Sequence, residues 1–185
     1  IDLIYEAIAR AKATFKERIP DASEKEIKEL SSILGIDAIK YADLSSHRLK
    51  DYVFSYDRML SFEGNTAAFL LYAYVRVQGI KRKVGKDVET LIGNVSIKLE
   101  DPSEIDLALH LRRFGETLQM MSRDLLPNRL CEYLYDLAEK FHAFFRDCRV
   151  EGSEQEESRL LLCEATSCVL AKGLDILGLK TLPRM

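Results

Sequence analysis

The sequence predicts an all-α helical bundle, and three observations carry that expectation. Apolar residues recur at i, i+3, i+4 and i+7 through nearly the whole chain, the spacing that gives a helix one buried stripe. Ser, Asp, Pro and Gly stand where that periodicity starts and stops, as helix boundaries require. Only one run reads as a strand, DYVFSY at residues 51–56, and no second run offers it a partner.

The elements follow in order. Leu3, Ile4, Ala7, Ile8, Ala11 and Phe15 form one face of a first helix, which Pro20 stops. Ser23, with Glu26 three residues later, reads as a capping box. It opens a second helix running towards Gly35, and a third covers about Asp37 to Ser45. The stretch DLSSHRLKDYVFSYDRMLSFEGN is rich in turn formers and aromatics. It reads as irregular or short helical structure joining two halves. A long helix covers about Gly64 to Lys83, with Asn65 as its candidate cap. A short helix around Asp87 to Ile92 and a loop come next. Three further helices close the chain. The first begins after Pro102, with Ser103 as cap and Gly115 as a possible break. The second carries Pro127 in its first turn. The third opens on Ser153 and Glu156 and ends at Gly178. A boundary near Phe62–Gly64 separates a helical N-terminal appendage, residues 1–62, from the bundle proper, residues 63–185.

Composition narrows the function. The 185 residues are 47% hydrophobic and 31% charged, with a net charge of −3. That balance argues against a generic polyanion binder but allows a local basic patch. Cys131, Cys148, Cys163 and Cys168 form no CxxC pair, and only three histidines could join them. They read as free thiols in helix cores, with no metal site. No apolar run is long enough to span a bilayer and no signal peptide opens the chain, so a reducing cytoplasmic setting is expected. Ile1 already lies within a helical pattern, which reads as a piece cut from something longer or a processed product.

The sequence has no phosphate-binding glycine loop, no H-E-x-x-H and no G-x-S-x-G, so catalysis by this chain itself is not expected. His47, His110 and His142 are scattered, and His110 reads as a satisfied histidine at the core edge. Binding is the better-supported class. At about 100° per residue, Asn65, Tyr72, Arg76 and Lys83 fall within about 20° of one line on a helix otherwise apolar all round. On the penultimate helix Leu130, Leu134, Leu137, Phe141, Phe144 and Cys148 form a core stripe. Tyr135, His142, Arg146 and Arg149 lie within about 60° of each other on a neighbouring face. Aromatic faces with arginine beside them suit unpaired bases, which stack on the ring while the cation meets phosphate. The other reading packs the tyrosines at the core edge with Arg and Lys snorkelling. It gives a helical protein-interaction module without RNA binding. Lys81, Arg82, Lys83 and Lys86 add a local basic cluster.

Three blocks carry a resemblance. YADLSSHRLKDYVFSYDRMLSFEGNTAAFLLYAYVRV resembles the junction between catalytic core and anticodon-binding domain of arginyl-tRNA synthetases. LLPNRLCEYLYDLAEKFHAFFRDCRV and SRLLLCEATSCVLAKGLDILGLK resemble the closing helices of the same family. The likeness covers nearly all of the chain and is weakest in Lys83–Ile97. The resemblance implies a class I ligase that activates arginine with ATP and Mg2+ and transfers it to the terminal adenosine of its tRNA. The HIGH and KMSKS signatures of the ATP site are absent. The likeness is therefore to the tail of the catalytic half, about 1–62, and an all-α anticodon-binding domain of the class I type, about 63–185. On this reading the piece is inactive alone. It holds no cofactor of its own and meets ATP and L-arginine only through the missing half. Its partner is the anticodon arm of a tRNA, and it acts as a monomer. By position the resemblance places Tyr72, Arg76, Lys83, Tyr135, His142, Arg146 and Met185 near the anticodon. Leu71 stands where the family often has Gln, and Tyr74 where it often has His. The ending ILGLKTLPRM resembles the eukaryotic cytosolic branch.

Overall fold

The apolar periodicity is realised as eight α-helices and no strand in a computed structural model that describes residues 1–185. They are α1 (Asp2–Arg18), α2 (Glu24–Ser45), α3 (Tyr56–Met59), α4 (Ala67–Val84), α5 (Pro102–Arg112), α6 (Phe114–Asp124), α7 (Asn128–Asp147) and α8 (Glu156–Ile176). The all-α expectation holds. DYVFSY is irregular up to the single turn of α3. A 3-10 turn at Val88–Thr90 stands where a short helix was expected.

The second and third expected helices are one. Ser23 caps α2 by accepting a hydrogen bond from the Glu26 amide at 3.2 Å, and the helix then runs unbroken through Gly35. Gly35 is buried against α1: a Cβ there would lie 2.7 Å from the Ile8 amide nitrogen and 2.8 Å from its Cα. The glycine is a packing contact between helices, not a stop. Its conformational cost within the helix, about 1 kcal/mol, is offset by the close approach it permits. On α1, Ala7, Ala11 and Phe15 are buried in that contact, whereas Leu3 and Ile4, at the start of the predicted face, are exposed.

The far end of α2 organises the bundle. Tyr41 is 1% exposed, and its hydroxyl reaches Asn65 Oδ1 at 2.5 Å and the Cys131 carbonyl at 3.0 Å. Asn65 is thus a tertiary acceptor and not the cap of α4. That role belongs to Thr66, whose Oγ1 accepts from the Phe69 amide at 3.1 Å and donates to the Ser61 carbonyl at 2.6 Å. The helix α4 is buried along most of its circumference, as its all-round apolar pattern requires, and packs against α2, α7 and α8. Gly85, in the left-handed region at φ 67°, ends it.

The closing helices differ from expectation mainly in their caps. Asp101, not Ser103, caps α5, in a reciprocal box with Glu104, and Pro102 takes the first helical position. The break before α6 falls at Arg113, and Gly115 lies inside α6. The Ser153–Glu156 box does not form. Glu156 instead accepts from the Gly152 amide at 2.6 Å, and Gln155 precedes the helix with no side-chain cap. Leu130, Leu134, Leu137, Phe141, Phe144 and Cys148 are all buried, so the predicted core stripe of α7 holds. Three cysteines are buried thiols, while Cys168 is exposed on α8. His110 is a satisfied core histidine: Nε2 lies 3.0 Å from the Tyr133 carbonyl, and the ring stacks on Tyr133 at 4.4 Å.

Two buried carboxylates fix outlying segments. Burial pushes the Glu104 carboxyl up. The Asp101 and Glu100 amides and the Arg159 guanidinium, 2.7 Å away, more than reverse this and hold it below the usual range. Asp37 accepts the Lys180 amide at 2.8 Å, and Arg184 pairs with Glu26 at 2.7 Å and Asp21 at 2.8 Å. The C-terminal segment is therefore strapped along α2.

Two stability predictions follow from this packing. Gly35→Ala places a methyl against the Ile8 backbone and is expected to destabilise the chain by about 1–3 kcal/mol. Equilibrium urea unfolding reads this as a lower midpoint with unchanged slope. Glu104→Ala leaves Arg159 and two amides without their acceptor and is expected to cost about 3–5 kcal/mol. The same measurement would detect it, and a loss below 1 kcal/mol would contradict the role given to Glu104.

Candidate nucleic-acid interface

The aromatic–basic lines of α4 and α7 meet on one face of the bundle. Phe69, one helical turn before Tyr72 on α4, sits between two side chains of α7: its ring centre lies 5.4 Å from Tyr135 and 4.8 Å from His142. Tyr72 continues the group, 6.1 Å from His142. Tyr72, Arg76, Tyr135 and His142 are all partly buried, with neither the full exposure of a solvated face nor the full burial of a core.

Arg76 occupies the centre of this face. Its guanidinium carbon lies 4.5 Å from the Tyr72 ring centre and 4.6 Å from that of Phe145, and Nη2 donates to the Tyr72 hydroxyl at 2.6 Å. No carboxylate pairs with it, in contrast to Arg10, Arg123, Arg129, Arg146, Arg159 and Arg184. The positive charge is held by two π faces and one neutral hydroxyl, which orient it without neutralising it. On the other side of Tyr72, Phe62 meets its ring edge-on at 6.2 Å. Arg18, from the last turn of α1, lies 3.6 Å over Phe62.

His142 lies behind this layer with Nε2 buried and without a hydrogen-bond partner. Burial, and then the nearby Arg76 charge, push the imidazole from 6.5 down to about 4. It is therefore neutral at physiological pH, and its unsatisfied nitrogen is a polar group with unused capacity beneath the aromatic surface.

The remaining predicted residues lie outside the cluster's contacts. Arg146 is exposed and pairs with its neighbour Asp147 at 2.7 Å. Lys83 is exposed in the last turn of α4. Met185 is partly buried against the core, just after the strapped Arg184. Half of the basic cluster is neutralised, because Lys81 pairs with Glu164 and Lys86 pairs with Glu156 and Glu157. Sequence reasoning missed Arg18, Phe62 and Phe145. The doublet Phe144–Phe145 was the available signal: one ring enters the core, so the next must point about 100° away, and Phe145 is 42% exposed. Arg18 reads in the sequence only as a basic residue at a helix C-terminus. A cleft of about 800 Å³ lies elsewhere, between the end of α2 and the segment after it. Its lining, which includes Ser45, Ser46, Ser55 and Ser61, contains no histidine or cysteine.

Comparison with known proteins gives this face a context. Residues 70–185 match the DALR anticodon binding domain, and residues 1–56 match the catalytic domain of class I tRNA synthetases (R). The chain is 59% identical to an arginine–tRNA ligase of Protochlamydia amoebophila and 53% identical to one of Chlamydia caviae, over all of this chain and 32% of each relative. The ending read above as eukaryotic thus belongs to a chain with close bacterial similarity. The crystal structure of arginyl-tRNA synthetase from Plasmodium falciparum superposes with a TM-score of 0.89 at 39% identity, over all of this chain and 33% of that one. The Thermus thermophilus arginyl-tRNA synthetase gives 0.87 at 30%, again over all of this chain and 32% of that one. The chain spans about a third of the length of the relatives it matches. With well over half of its residues matched, and an all-α fold to agree, the chain belongs to the DALR anticodon binding domain family.

Proposed function

We propose that this chain binds the anticodon arm of a tRNA on the α4–α7 face, as part of an arginine–tRNA ligase. The single observation that carries the site is Arg76. A guanidinium is held between Tyr72 and Phe145, hydrogen-bonded to the Tyr72 hydroxyl and lacking any acidic partner. An unpaired base stacks on such rings and a phosphate completes such a cation, whatever the base identity. In this reading Tyr72 and Tyr135 supply stacking surface and Arg76 the central phosphate contact. His142 supports the rings from behind. Lys83 and Arg146 add outlying positive charge, and Met185 closes the edge near the C-terminus. Support for the partner comes from the anticodon-binding family itself and from the arginine–tRNA ligases that the chain resembles along its whole length.

The finer organisation belongs to the same proposal. Residues 1–62 are the tail of a catalytic half and residues 63–185 the anticodon-binding domain, acting as a cytoplasmic monomer. The whole ligase would attach arginine to its tRNA at the expense of ATP with Mg2+. Those ligands would be held outside these 185 residues, and the chain alone would not aminoacylate. What this chain contributes is binding and orientation of the distant arm.

Two experiments test the site. Tyr72→Ala and Arg76→Ala are each expected to weaken binding of an arginine-anticodon stem-loop by about 1–3 kcal/mol, roughly 5- to 150-fold. Circular dichroism should be unchanged and wild-type affinity should fall with added salt. Unchanged affinity in both variants would remove the site. The second test uses His142. Its folded pKa lies below its unfolded value, so the unfolded chain binds more protons between the two, and stability falls as pH drops from about 6.5 towards 4. After allowance for partial solvent screening, the acid-side loss is about 1–3 kcal/mol. Urea midpoints measured across this range should show that component vanish in His142→Leu.

A further inference from the structure

We infer that the RNA-binding surface extends onto α1, where Arg18 supplies a second phosphate contact beside the one made by Arg76. This rests on the reading of the α4–α7 face given above. Arg18 lies in the segment matched to the catalytic-domain family, outside the residues matched to the anticodon-binding family, so neither match assigns it this role.

The geometry is a ladder of rings with a cation at each end. The guanidinium of Arg18 sits 3.6 Å over Phe62 and 5.9 Å from the Tyr72 ring centre, and Phe62 and Tyr72 meet edge to face at 6.2 Å. Arg76 approaches the same Tyr72 ring at 4.5 Å and carries the ladder on to Phe145. Two like charges thus converge on one tyrosine, and neither is ion-paired or hydrogen-bonded to an acid. The contrast with Arg184 is informative. At the start of α2 that side chain pairs with two acids, Asp21 at 2.8 Å and Glu26 at 2.7 Å, while Glu24 is held by Lys12 and Lys16. No carboxylate forms an ion pair with Arg18, so its charge is not neutralised. Two oriented, uncompensated guanidinium groups bordering one partly buried aromatic step match neighbouring phosphates of a single strand whose base stacks at that step. Arginine suits both tasks at once, because its planar head stacks on the ring while its edge N–H groups remain free for an anion.

A merely structural Arg18 would only fasten the end of α1 to Phe62, and the two roles separate experimentally. Binding of an arginine-anticodon RNA stem-loop to the 185-residue chain should be measured over a salt series for wild type, Arg18→Ala, Arg18→Lys and Arg76→Ala. Loss of one phosphate contact should lower the slope of log affinity against log salt by about 0.7–0.9, with a several-fold weakening at low salt. Arg18→Lys should retain most of the slope. A stem-loop series with single neutral methylphosphonate linkages should contain one linkage that weakens wild type but not Arg18→Ala, and a different one for Arg76→Ala. Thermal unfolding of each variant identifies any loss due to misfolding. Normal affinity and slope in Arg18→Ala, with Arg76→Ala impaired, would overturn the Arg18 contact and leave the α4–α7 site standing. Equal weakening in Arg18→Ala and Arg18→Lys with an unchanged slope would show a packing role and overturn it too. No effect from either arginine would remove both readings.

Discussion

The hydroxyl of Tyr41 joins three helices at one buried point. It lies near the end of α2 and reaches Asn65 just ahead of α4 and the Cys131 carbonyl in the first turns of α7. A polar group so deeply buried must be satisfied, and an unmet hydroxyl there would cost about 1–3 kcal/mol. Burial also drives its acidity far down, so it stays a neutral donor. The register of α4 against α7 is thereby fixed at their N-terminal ends, and the rest of the face depends on that register. Phe69 can stand between Tyr135 and His142 only if the two helices keep this offset.

From that point α2 acts as a spine for both parts of the chain. It meets α1 at its middle through Gly35, packs against α4 and α7, and its flank carries the strapped C-terminal segment through Asp37, Lys40 and Glu26. An α1 held at 2.7–2.8 Å of potential Cβ clearance from α2 has little freedom to slide. This places the end of α1 firmly enough for Arg18 to sit on Phe62. The family boundary in the sequence is therefore not a mechanical boundary, because α2, which lies wholly within the first matched segment, packs against α4 and α7 of the second.

Much of this was legible in the sequence, for identifiable reasons. Helix existence and the α7 core stripe follow from a period that burial enforces, and the tertiary structure had no competing use for those residues. Caps and breaks were less legible because several residues near each terminus qualify locally. Asp101 beats Ser103, and Thr66 beats Asn65, once Tyr41 has claimed the asparagine. Gly35 looks like a terminus because glycine most often ends helices, and only a neighbouring helix reveals the packing use. The candidate site divides in the same way. Tyr72, Arg76, Tyr135 and His142 lie on single-helix lines that angular arithmetic can find. Arg18 and Phe62 are brought in across 54 and 10 residues of chain from Tyr72, and no periodicity within one helix can report that.

The electrostatics of the face give the arrangement its sense. Arg76 is one of the two causes that keep His142 neutral, and the imidazole has an unpartnered nitrogen below the rings. A phosphate placed on Arg76 would cancel much of that charge and relax the penalty on a protonated imidazole. On the proposed function, binding and His142 protonation would be linked: an anion that neutralises Arg76 would make the buried nitrogen easier to protonate. The free protein pays for an uncompensated pair of guanidinium groups and an orphaned ring nitrogen on one small face. These costs are consistent with the proposal that the face is completed by an anionic partner.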